Sequence, residues 1–192
     1  MLGRVAGMEP VTLRTPRLTL SAPRADDVDA IFDGCQDAAV QRYTTVPSPY
    51  LRSDAEEYVQ RVQAHWASGE ELVWAIRVDE ALVGMIGLHG ITGGAAELGY
   101  WLAPAHRGRG LVQEAGRAVL DFAFAEQRLQ RVEWRAAVGN AASARAGRAL
   151  GFRFEGTMRQ ALSNSLGRYD SWLAGLLATD DRVPRPWPVP SD

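Results

Sequence analysis

The hydrophobic positions of the chain follow two periods, and their order predicts a mixed α/β domain. Apolar residues alternate with polar ones, or cluster in short runs, and so predict strands at 17–21, 72–78, 82–91, 96–102, 131–138, 152–158 and 169–177. Apolar residues at helical spacing predict helices over about 25–35, 53–66, 111–127 and 140–150. This order predicts an α+β fold, a mixed sheet with helices on both faces.

Local signals predict where several of these elements begin and end. Asp79-Glu80 separates two strand patterns and predicts a hairpin turn. Ser53 followed by Glu56 has the spacing of a capping box, which predicts a helix start. Asn140 predicts an N-cap, and Gly151 a left-handed helix end. The predicted inward-facing residues are Leu111, Ala115, Val119 and Phe122 in the long helix, and Val132, Trp134, Ala136 and Val138 in the strand at 131–138.

The length of 192 residues suits one domain with a sizeable core. We predict a single domain over 1–180 and a stiff proline-rich tail over 181–192, with prolines at 184, 186, 188 and 190. No apolar run approaches the roughly 18 residues that a membrane span needs. The first ten residues lack the apolar region of a signal peptide. We therefore expect a cytoplasmic protein with no membrane partner.

The chain contains no lysine, because all 21 of its basic residues are arginine. A P-loop needs a lysine at the phosphates, and a protein kinase needs one on its third strand. Schiff-base and pyridoxal-phosphate enzymes need a lysine amine as covalent handle. These classes of activity are excluded for this chain.

The other composition data narrow the chemistry further. A net charge of −2 argues against a large nucleic-acid interface, so we expect no nucleic-acid partner. The single cysteine, Cys35, excludes an intramolecular disulfide and a cysteine-rich zinc site. The three histidines, His65, His89 and His106, are scattered without metal-ligand spacing, so we expect no metal.

A glycine-rich loop between a predicted strand and the long helix is the most informative stretch. It reads His106-Arg107-Gly108-Arg109-Gly110-Leu111-Val112. Glycines let the backbone approach a ligand closely, and free N–H groups at a helix start bind anionic oxygens. Two arginines can add charge-assisted hydrogen bonds to a phosphate. The dinucleotide fingerprint fails at Gln113, where glycine or alanine is required.

This loop resembles the Q/R-x-x-G-x-G/A loop of the GNAT superfamily of N-acetyltransferases, with Val112 in place of the usual final Gly/Ala. The resemblance covers roughly residues 11–178 and is greatest to the ribosomal-protein N-terminal acetyltransferases of the RimJ/RimL type. The further stretches that carry it are Leu98–Pro104, Gln113–Ala115, Asn140–Ser143, Gly151-Phe152, Glu155–Arg159 and Tyr169-Asp170.

The resemblance implies a largely antiparallel sheet whose fourth and fifth strands, Ala96–Leu102 and Arg131–Val138, splay apart to admit the pantetheine arm of acetyl-CoA. It implies that the loop amides bind the pyrophosphate. The implied cofactor-binding residues are Trp101, Leu102, Ala103, Arg107, Gly108, Arg109, Gly110, Leu111, Val112, Asn140 and Ser143.

Glu97 is the candidate general base, since many family members carry a catalytic glutamate about ten residues before the loop. Alternation places Glu97 on the same strand face as Gly99 and Trp101. Apolar flanking residues are expected to raise the pKa of its carboxyl, which suits proton abstraction. An ordinary solvated or ion-paired glutamate is the alternative.

Many family members protonate the leaving thiolate with a tyrosine four residues before the Gly-Phe pair, but this chain has Gly147 there. Ser143 is the available hydroxyl, and the resemblance to RimL-type enzymes supports it as acid or hydrogen-bond donor to the thiolate. The alternative is a serine that bonds its own helix.

The acceptor is the least determined part of the site. The resemblance implies that Tyr50, Arg159, Tyr169 and Asp170 border the acceptor groove, and that the acceptor is a protein N-terminal α-amine. A small amine or antibiotic, a succinyl donor in place of acetyl, and a non-catalytic CoA-binding sensor stay open. Relatives also make a homodimer plausible.

Overall fold

The computed structural model describes residues 8–189 and shows eight strands and five α-helices within them. The strands are β1 Leu13–Arg14, β2 Thr19–Ser21, β3 Leu72–Val78, β4 Ala81–Thr92, β5 Ala95–Leu102, β6 Arg131–Ala137, β7 Arg153–Asn164 and β8 Gly167–Leu177. The helices are α1 Val28–Cys35, α2 Ala38–Tyr43, α3 Arg52–Ser68, α4 Leu111–Ala125 and α5 Ala141–Ala149. Short 3₁₀ turns at Ala25–Asp27 and Pro104–His106 precede α1 and α4. The two ends of the chain, 1–7 and 190–192, lie outside the described residues.

All eight strands form one sheet in the order β1-β2-β3-β4-β5-β6-β8-β7. Every neighbouring pair is antiparallel except β5 and β6, which run parallel. The predicted α+β fold with a largely antiparallel sheet is therefore confirmed, and the predicted fourth and fifth strands are β5 and β6.

Helices cover both faces of this sheet. α1 packs on the face that carries Trp101, whose ring lies directly over Gly34. α4 packs on the opposite face, where Phe122 meets Trp74 edge-on at 5.6 Å between ring centroids. α5 lies against that same second face, beside Trp134. The buried core runs continuously through both layers.

Most predicted element ends agree with the structure, because the local signals were specific. Asp79 and Glu80 both adopt positive φ and close the β3–β4 turn. The Asn140 side chain accepts from the backbone N–H of Ser143, and Gly151 has φ +88° after α5. The predicted inner residues of α4 are all buried.

Two local predictions need correction. The N-cap of α3 is Leu51 instead of Ser53, because the Asp54 carboxylate accepts the backbone N–H of Leu51 at 2.7 Å. Val138 is 45% exposed, since β6 ends at Ala137 and the chain turns away. The structure also contains a short helix that the sequence pattern did not predict, α2, whose N-cap Asp37 accepts two backbone N–H groups.

A buried ion pair ties the N-terminal part of the chain to the sheet. Arg77 donates to both carboxylate oxygens of Asp27, at 2.7 and 2.6 Å, and its Nε donates to Ser21. Burial acts to raise the pKa of Asp27, but hydrogen bonds from Arg77 and from the backbone of Arg24 outweigh it and hold that pKa below its ordinary value. The carboxylate therefore stays charged beside its arginine.

The proline-rich tail packs against the domain through Trp187. Its ring lies 5.1 Å from the Trp134 ring and 5.8 Å from the Phe154 ring, between centroids. Its Nε1 donates to the carbonyl of Phe152 at 3.1 Å. The tail is thus anchored beside α5.

Candidate functional site

A cleft opens in the middle of the sheet where β5 and β6 separate. The two strands pair over only three residues each, and the last pair is Glu97 with Glu133. Beyond it β5 continues to Leu102 beside β4, while β6 continues to Ala137 beside β8. The inner edges of both strands therefore face a wedge that an extended ligand can enter.

The glycine-rich loop follows β5 and leads into α4. Gly108 and Gly110 adopt φ of +73° and +74°, in the left-handed region that favours glycine. Gly110 is the N-cap of α4 and supplies no side-chain cap. The first amides of the helix, which begins at Leu111, have no carbonyl one turn earlier to bond, so they are available to an anion.

The two loop arginines have different environments. Arg107 donates from Nε to the Leu102 carbonyl at 3.0 Å and from Nη2 to the Asp37 carboxylate at 2.6 Å. This bond links the loop to the start of α2. Arg109 is exposed, and its carbonyl accepts from Arg17 at 3.1 Å.

Arg17 and Glu114 brace the loop from the other side. Arg17 donates to both carboxylate oxygens of Glu114, through its backbone N–H at 3.0 Å and its Nε at 2.6 Å. Glu114 also accepts from the Thr15 hydroxyl at 2.6 Å. The first turn of α4 is held to the N-terminal strands by these bonds, a connection that sequence spacing did not reveal.

Glu97 lies at the point where the strands part, on the sheet face that carries α1. Its Oε2 is 3.0 Å from Nε of Arg135, an ion pair across the cleft mouth. Burial raises the pKa of Glu97, and the electrostatic effects of Arg135 and His89 only partly oppose that rise. The side chain stays 33% exposed, so a bound amine can reach the carboxyl.

Ser143 lies on the other face of the sheet, where three polar groups meet inside the cleft. The Ser143 and Tyr100 hydroxyl oxygens are 2.9 Å apart. Nε1 of Trp134 lies 3.1 Å from each of them. Tyr100 comes from β5 and Trp134 from β6, so the group spans the gap between the separated strands. The sequence pattern predicted the strand that contains Tyr100. It contained no signal that the Tyr100 hydroxyl would contact Ser143.

Gly147 lies against two indole rings. A Cβ there would lie 3.0 Å from the Trp187 ring and 3.3 Å from the Trp134 ring. Those distances are tighter than ordinary carbon contacts, so a side chain at this position would require the indoles to shift.

Comparison with known proteins identifies the family. The sequence profile described as an acetyltransferase (GNAT) domain matches residues 17–153. The chain belongs to the GNAT acetyltransferase family. The uncharacterized N-acetyltransferase p20 of Bacillus licheniformis is 30% identical over 152 residues, which are 77% of this chain and 85% of p20.

Solved structures share the fold of this GNAT protein. RimL, a ribosomal L7/L12 α-N-protein acetyltransferase in complex with coenzyme A, superposes with a TM-score of 0.80 at 21% identity, over 87% of this chain and 98% of RimL. The microcin C7 self-immunity acetyltransferase MccE, in complex with acetyl-CoA and AMP, gives 0.77 at 18% identity, over 85% and 93%. The predicted family and fold are therefore confirmed, and the protein is an acetyl-CoA-dependent N-acetyltransferase.

The residues present in the GNAT cleft fit acetyl-CoA. The open edge of β5 offers backbone groups to an extended amide-containing arm, and the loop glycines leave the first amides of α4 uncovered for phosphate oxygens. His106, beside the loop, has a buried Nδ1 with no hydrogen-bond partner among residues 8–189.

Of the four residues expected at the acceptor groove, three lie on the β7–β8 hairpin and one, Tyr50, lies just before α3. Tyr50 is buried and lines a cavity of about 220 Å³ on the α3 side of the molecule. Arg159 is exposed and Tyr169 half-buried on the β7–β8 hairpin. Asp170 accepts from the backbone N–H of Gln160 at 2.9 Å and from its side chain at 3.2 Å, so this carboxylate stabilises the hairpin.

Two further titratable sites are the Cys35 thiol and the Glu71 carboxylate with its two histidines. The Cys35 thiol is buried, which raises its pKa to about 11 and disfavours the thiolate. His65 and His89, distant in sequence, both approach Glu71, at 3.1 and 3.5 Å, and the His89 contact does most to lower the pKa of Glu71 to about 2.

Two absences apply to residues 8–189. These residues contain no group of three or more histidine, cysteine, aspartate or glutamate side chains that could hold a metal ion. Within the same range, every helix is too short or too polar to cross a membrane.

Proposed function

We propose that this GNAT enzyme transfers the acetyl group of acetyl-CoA to the α-amine of a protein N-terminus. Glu97 is the proposed base, and Ser143 the proposed hydrogen-bond donor to the departing thiolate. The observation that carries the proposal is the position of Glu97: a partly exposed carboxyl of raised pKa at the point where β5 and β6 part.

The strength of this base favours an α-amine over a lysine side chain. An α-ammonium group has a pKa of about 8, and a lysine ammonium group about 10.4. A carboxyl whose pKa is raised only by partial burial approaches the first value more closely than the second. Proton transfer from an α-ammonium group is therefore the less unfavourable step.

The two sides of the sheet support a division of roles. Glu97 and Tyr100 are three residues apart on β5, so they lie on opposite faces and about 10 Å apart along the strand. Ser143 and the loop that would hold the phosphates lie on the α4–α5 face. An arm that enters the cleft from that face brings its thioester toward Glu97 on the other.

The proposed cofactor contacts follow the same path. The loop from Arg107 to Val112 would hold the pyrophosphate, mainly through backbone amides. The edge of β5 at Trp101, Leu102 and Ala103 would pair with the arm. In this proposal Asn140 acts indirectly, because its side chain fixes the turn that presents Ser143.

The β7–β8 hairpin forms one wall of the proposed acceptor groove. Asn164, near its tip, donates to the carbonyls of Arg42 and Thr44 at 2.9 and 3.2 Å. The hairpin is thereby tied to the end of α2, whose start is tied to Arg107. Arg159, Tyr169, Asp170 and Tyr50 remain the proposed acceptor-side residues.

The acceptor class can be tested directly. Thiol release from acetyl-CoA is measured with N-terminal peptides, the same peptides blocked at the N-terminus, internal-lysine peptides, polyamines and aminoglycosides. We expect turnover with free N-terminal peptides and none with blocked ones. Turnover confined to lysine peptides contradicts the α-amine proposal. Turnover confined to aminoglycosides or polyamines supports a small-amine acetyltransferase, the second candidate, which has support from the likeness of the fold to MccE.

The same preparation tests the remaining parts of the proposal. Parallel assays with succinyl-CoA determine the acyl group. Sedimentation determines whether the protein forms the expected homodimer, and fractionation of the source cells tests the expected cytoplasmic location.

A further inference from the structure

We propose that Tyr100 is a positioning residue that donates its hydroxyl proton to Ser143, so that the Ser143 hydroxyl points its own hydrogen at the leaving sulfur. The inference rests on the proposed function, because it assigns work to the cleft between β5 and β6. It adds Tyr100 as a residue that acts through Ser143. The tyrosine usual in the family would stand at position 147, where this chain has glycine.

A count of hydrogens supports this arrangement. Trp134 Nε1 can only donate, and it lies 3.1 Å from the oxygens of both Tyr100 and Ser143. The Tyr100 hydroxyl has two acceptors in reach, the Ser143 Oγ at 2.9 Å and the Ser143 carbonyl at 3.2 Å. In the shorter of its two bonds Tyr100 donates to Oγ, and the single N–H of Trp134 is shared between Oγ and the Tyr100 oxygen. The hydrogen of Ser143 is then free to point into the cleft.

The surroundings of Tyr100 make it a hydrogen-bond donor that keeps its proton. Burial raises the pKa of Tyr100, against the opposing hydrogen bonds from Ser143 and Trp134, so the phenol keeps its proton. Trp134 is 1% exposed and cannot move without disturbing the core. Two fixed donors therefore stabilise negative charge at the Ser143 oxygen when that oxygen shares its hydrogen with a thiolate.

The reaction balances with these groups. The amine nitrogen forms the new C–N bond and gives a proton to Glu97, while the C–S bond breaks with its electron pair going to sulfur. Ser143 donates a hydrogen bond to that thiolate, which then takes a proton from water to leave as the free thiol. Glu97 gives its proton to the hydroxide that remains, which restores the carboxylate and the water. Tyr100 and Ser143 end the cycle unchanged.

The first test measures the thiol of bound CoA without any acceptor. Thiolate absorbance near 240 nm is followed against pH for wild type, Ser143→Ala, Tyr100→Phe and the double variant. We expect the pKa of the bound thiol to rise in Ser143→Ala, to rise by less in Tyr100→Phe, and to rise no further in the double variant. Tyr43→Phe, which removes a hydroxyl from α2, is the matched control and should leave that pKa unchanged.

The second test is a kinetic cycle with the same variants. We expect kcat to fall about a hundredfold in Ser143→Ala and about tenfold in Tyr100→Phe, with little change in KM for acetyl-CoA. The double variant should match Ser143→Ala alone, because Tyr100 acts through Ser143. A further tenfold loss in the double variant overturns the inference, since Tyr100 would then act independently.

The outcomes separate this inference from the proposed function. Failure of CoA to bind contradicts the proposed function itself. CoA binding with a thiol pKa that Ser143→Ala raises and Tyr100→Phe leaves unchanged overturns the positioning role of Tyr100 alone. Because Tyr100→Phe keeps the ring, its packing is conserved, and thermal unfolding of each variant verifies that the fold is intact.

Discussion

Glu97 and Arg135 face each other across the mouth of the cleft, with 3.0 Å between Oε2 and Nε. Glu97 ends the paired part of β5, and Arg135 lies two residues beyond Glu133 at the end of the paired part of β6. Burial raises the pKa of the Glu97 carboxyl, and the positive charge of Arg135 partly opposes that rise. This balance sets the pH at which Glu97 can accept a proton.

Glu97→Gln should lower kcat about a hundredfold near neutral pH, because the amide cannot accept the amine proton. In wild type, activity should rise with pH as Glu97 deprotonates, with a midpoint above the ordinary glutamate value because burial raises its pKa. This rise of kcat with pH should be absent in Glu97→Gln. The measurement is kcat against pH at saturating acceptor.

Two further variants control this experiment. Arg135→Met removes the positive charge that lowers the pKa of Glu97, so the midpoint of the rise of kcat should move to higher pH. Glu56→Gln removes an exposed carboxyl that pairs with Arg52 within α3, and should leave the profile unchanged. Wild-type turnover by Glu97→Gln across neutral pH would rule out Glu97 as the base.

Gly110→Ala should raise KM for acetyl-CoA, because alanine disfavours the left-handed φ of +74° that opens α4 toward the phosphates. The strain costs about 1–2 kcal/mol in stability. Gly93→Ala is the matched control, since Gly93 has φ +57° and open space around it on the β4–β5 turn. Both variants should lose similar stability in urea unfolding, and only Gly110→Ala should weaken the cofactor. Equal KM values in the two variants would show that the loop does not bind acetyl-CoA.

The sequence predicted the fold well because most of its signals are local. The hairpin at Asp79-Glu80 and the N-cap at Asn140 each depend on residue types within one turn of chain. The start of α3 was misplaced because the acid that bonds back to the N-cap is Asp54, two residues before the Glu56 that the pattern selected. The short helix α2 lacks a strong apolar period and depends on its cap, Asp37, which explains why it was missed.

The site was predicted only as far as a motif could place it. The glycine loop follows from its own motif, and Glu97 was proposed from the resemblance to the family. The contact of Tyr100 with Ser143 joins residues 43 positions apart, and the approach of Trp187 to Gly147 depends on where the tail returns. Such contacts are set by tertiary packing, which one sequence read locally does not contain.

Asp27→Asn should destabilise the protein by about 3–5 kcal/mol, because it leaves the buried Arg77 charge without its partner. Asp29→Asn, which removes the exposed partner of Arg52, is the control and should change stability little. The measurement is urea unfolding at neutral pH. An equal loss of unfolding free energy in the two variants would show that the buried pair stabilises the protein no more than the exposed pair.

The pH dependence of this effect has a definite sign. The pKa of Asp27 is lowered in the folded protein from its ordinary value of 3.8. Its contribution is therefore fully present above that ordinary value and is lost as the pH falls through the lower folded-state value. The difference in stability between wild type and Asp27→Asn should shrink in acid.

Trp187→Ala should reduce both stability and catalysis, since this tail residue packs on the tryptophan that bonds Ser143. Removal of a buried indole costs about 3 kcal/mol or more, and the hydrogen bond to the Phe152 carbonyl is lost as well. Trp134 would lose its packing partner at 5.1 Å, so its hydrogen bond to Ser143 should loosen and kcat should fall while KM for acetyl-CoA changes little. Val183→Ala, at an exposed tail position, is the control and should match wild type. If Trp187→Ala unfolds at the wild-type urea concentration and keeps the wild-type kcat, the tail has no role in supporting the cleft.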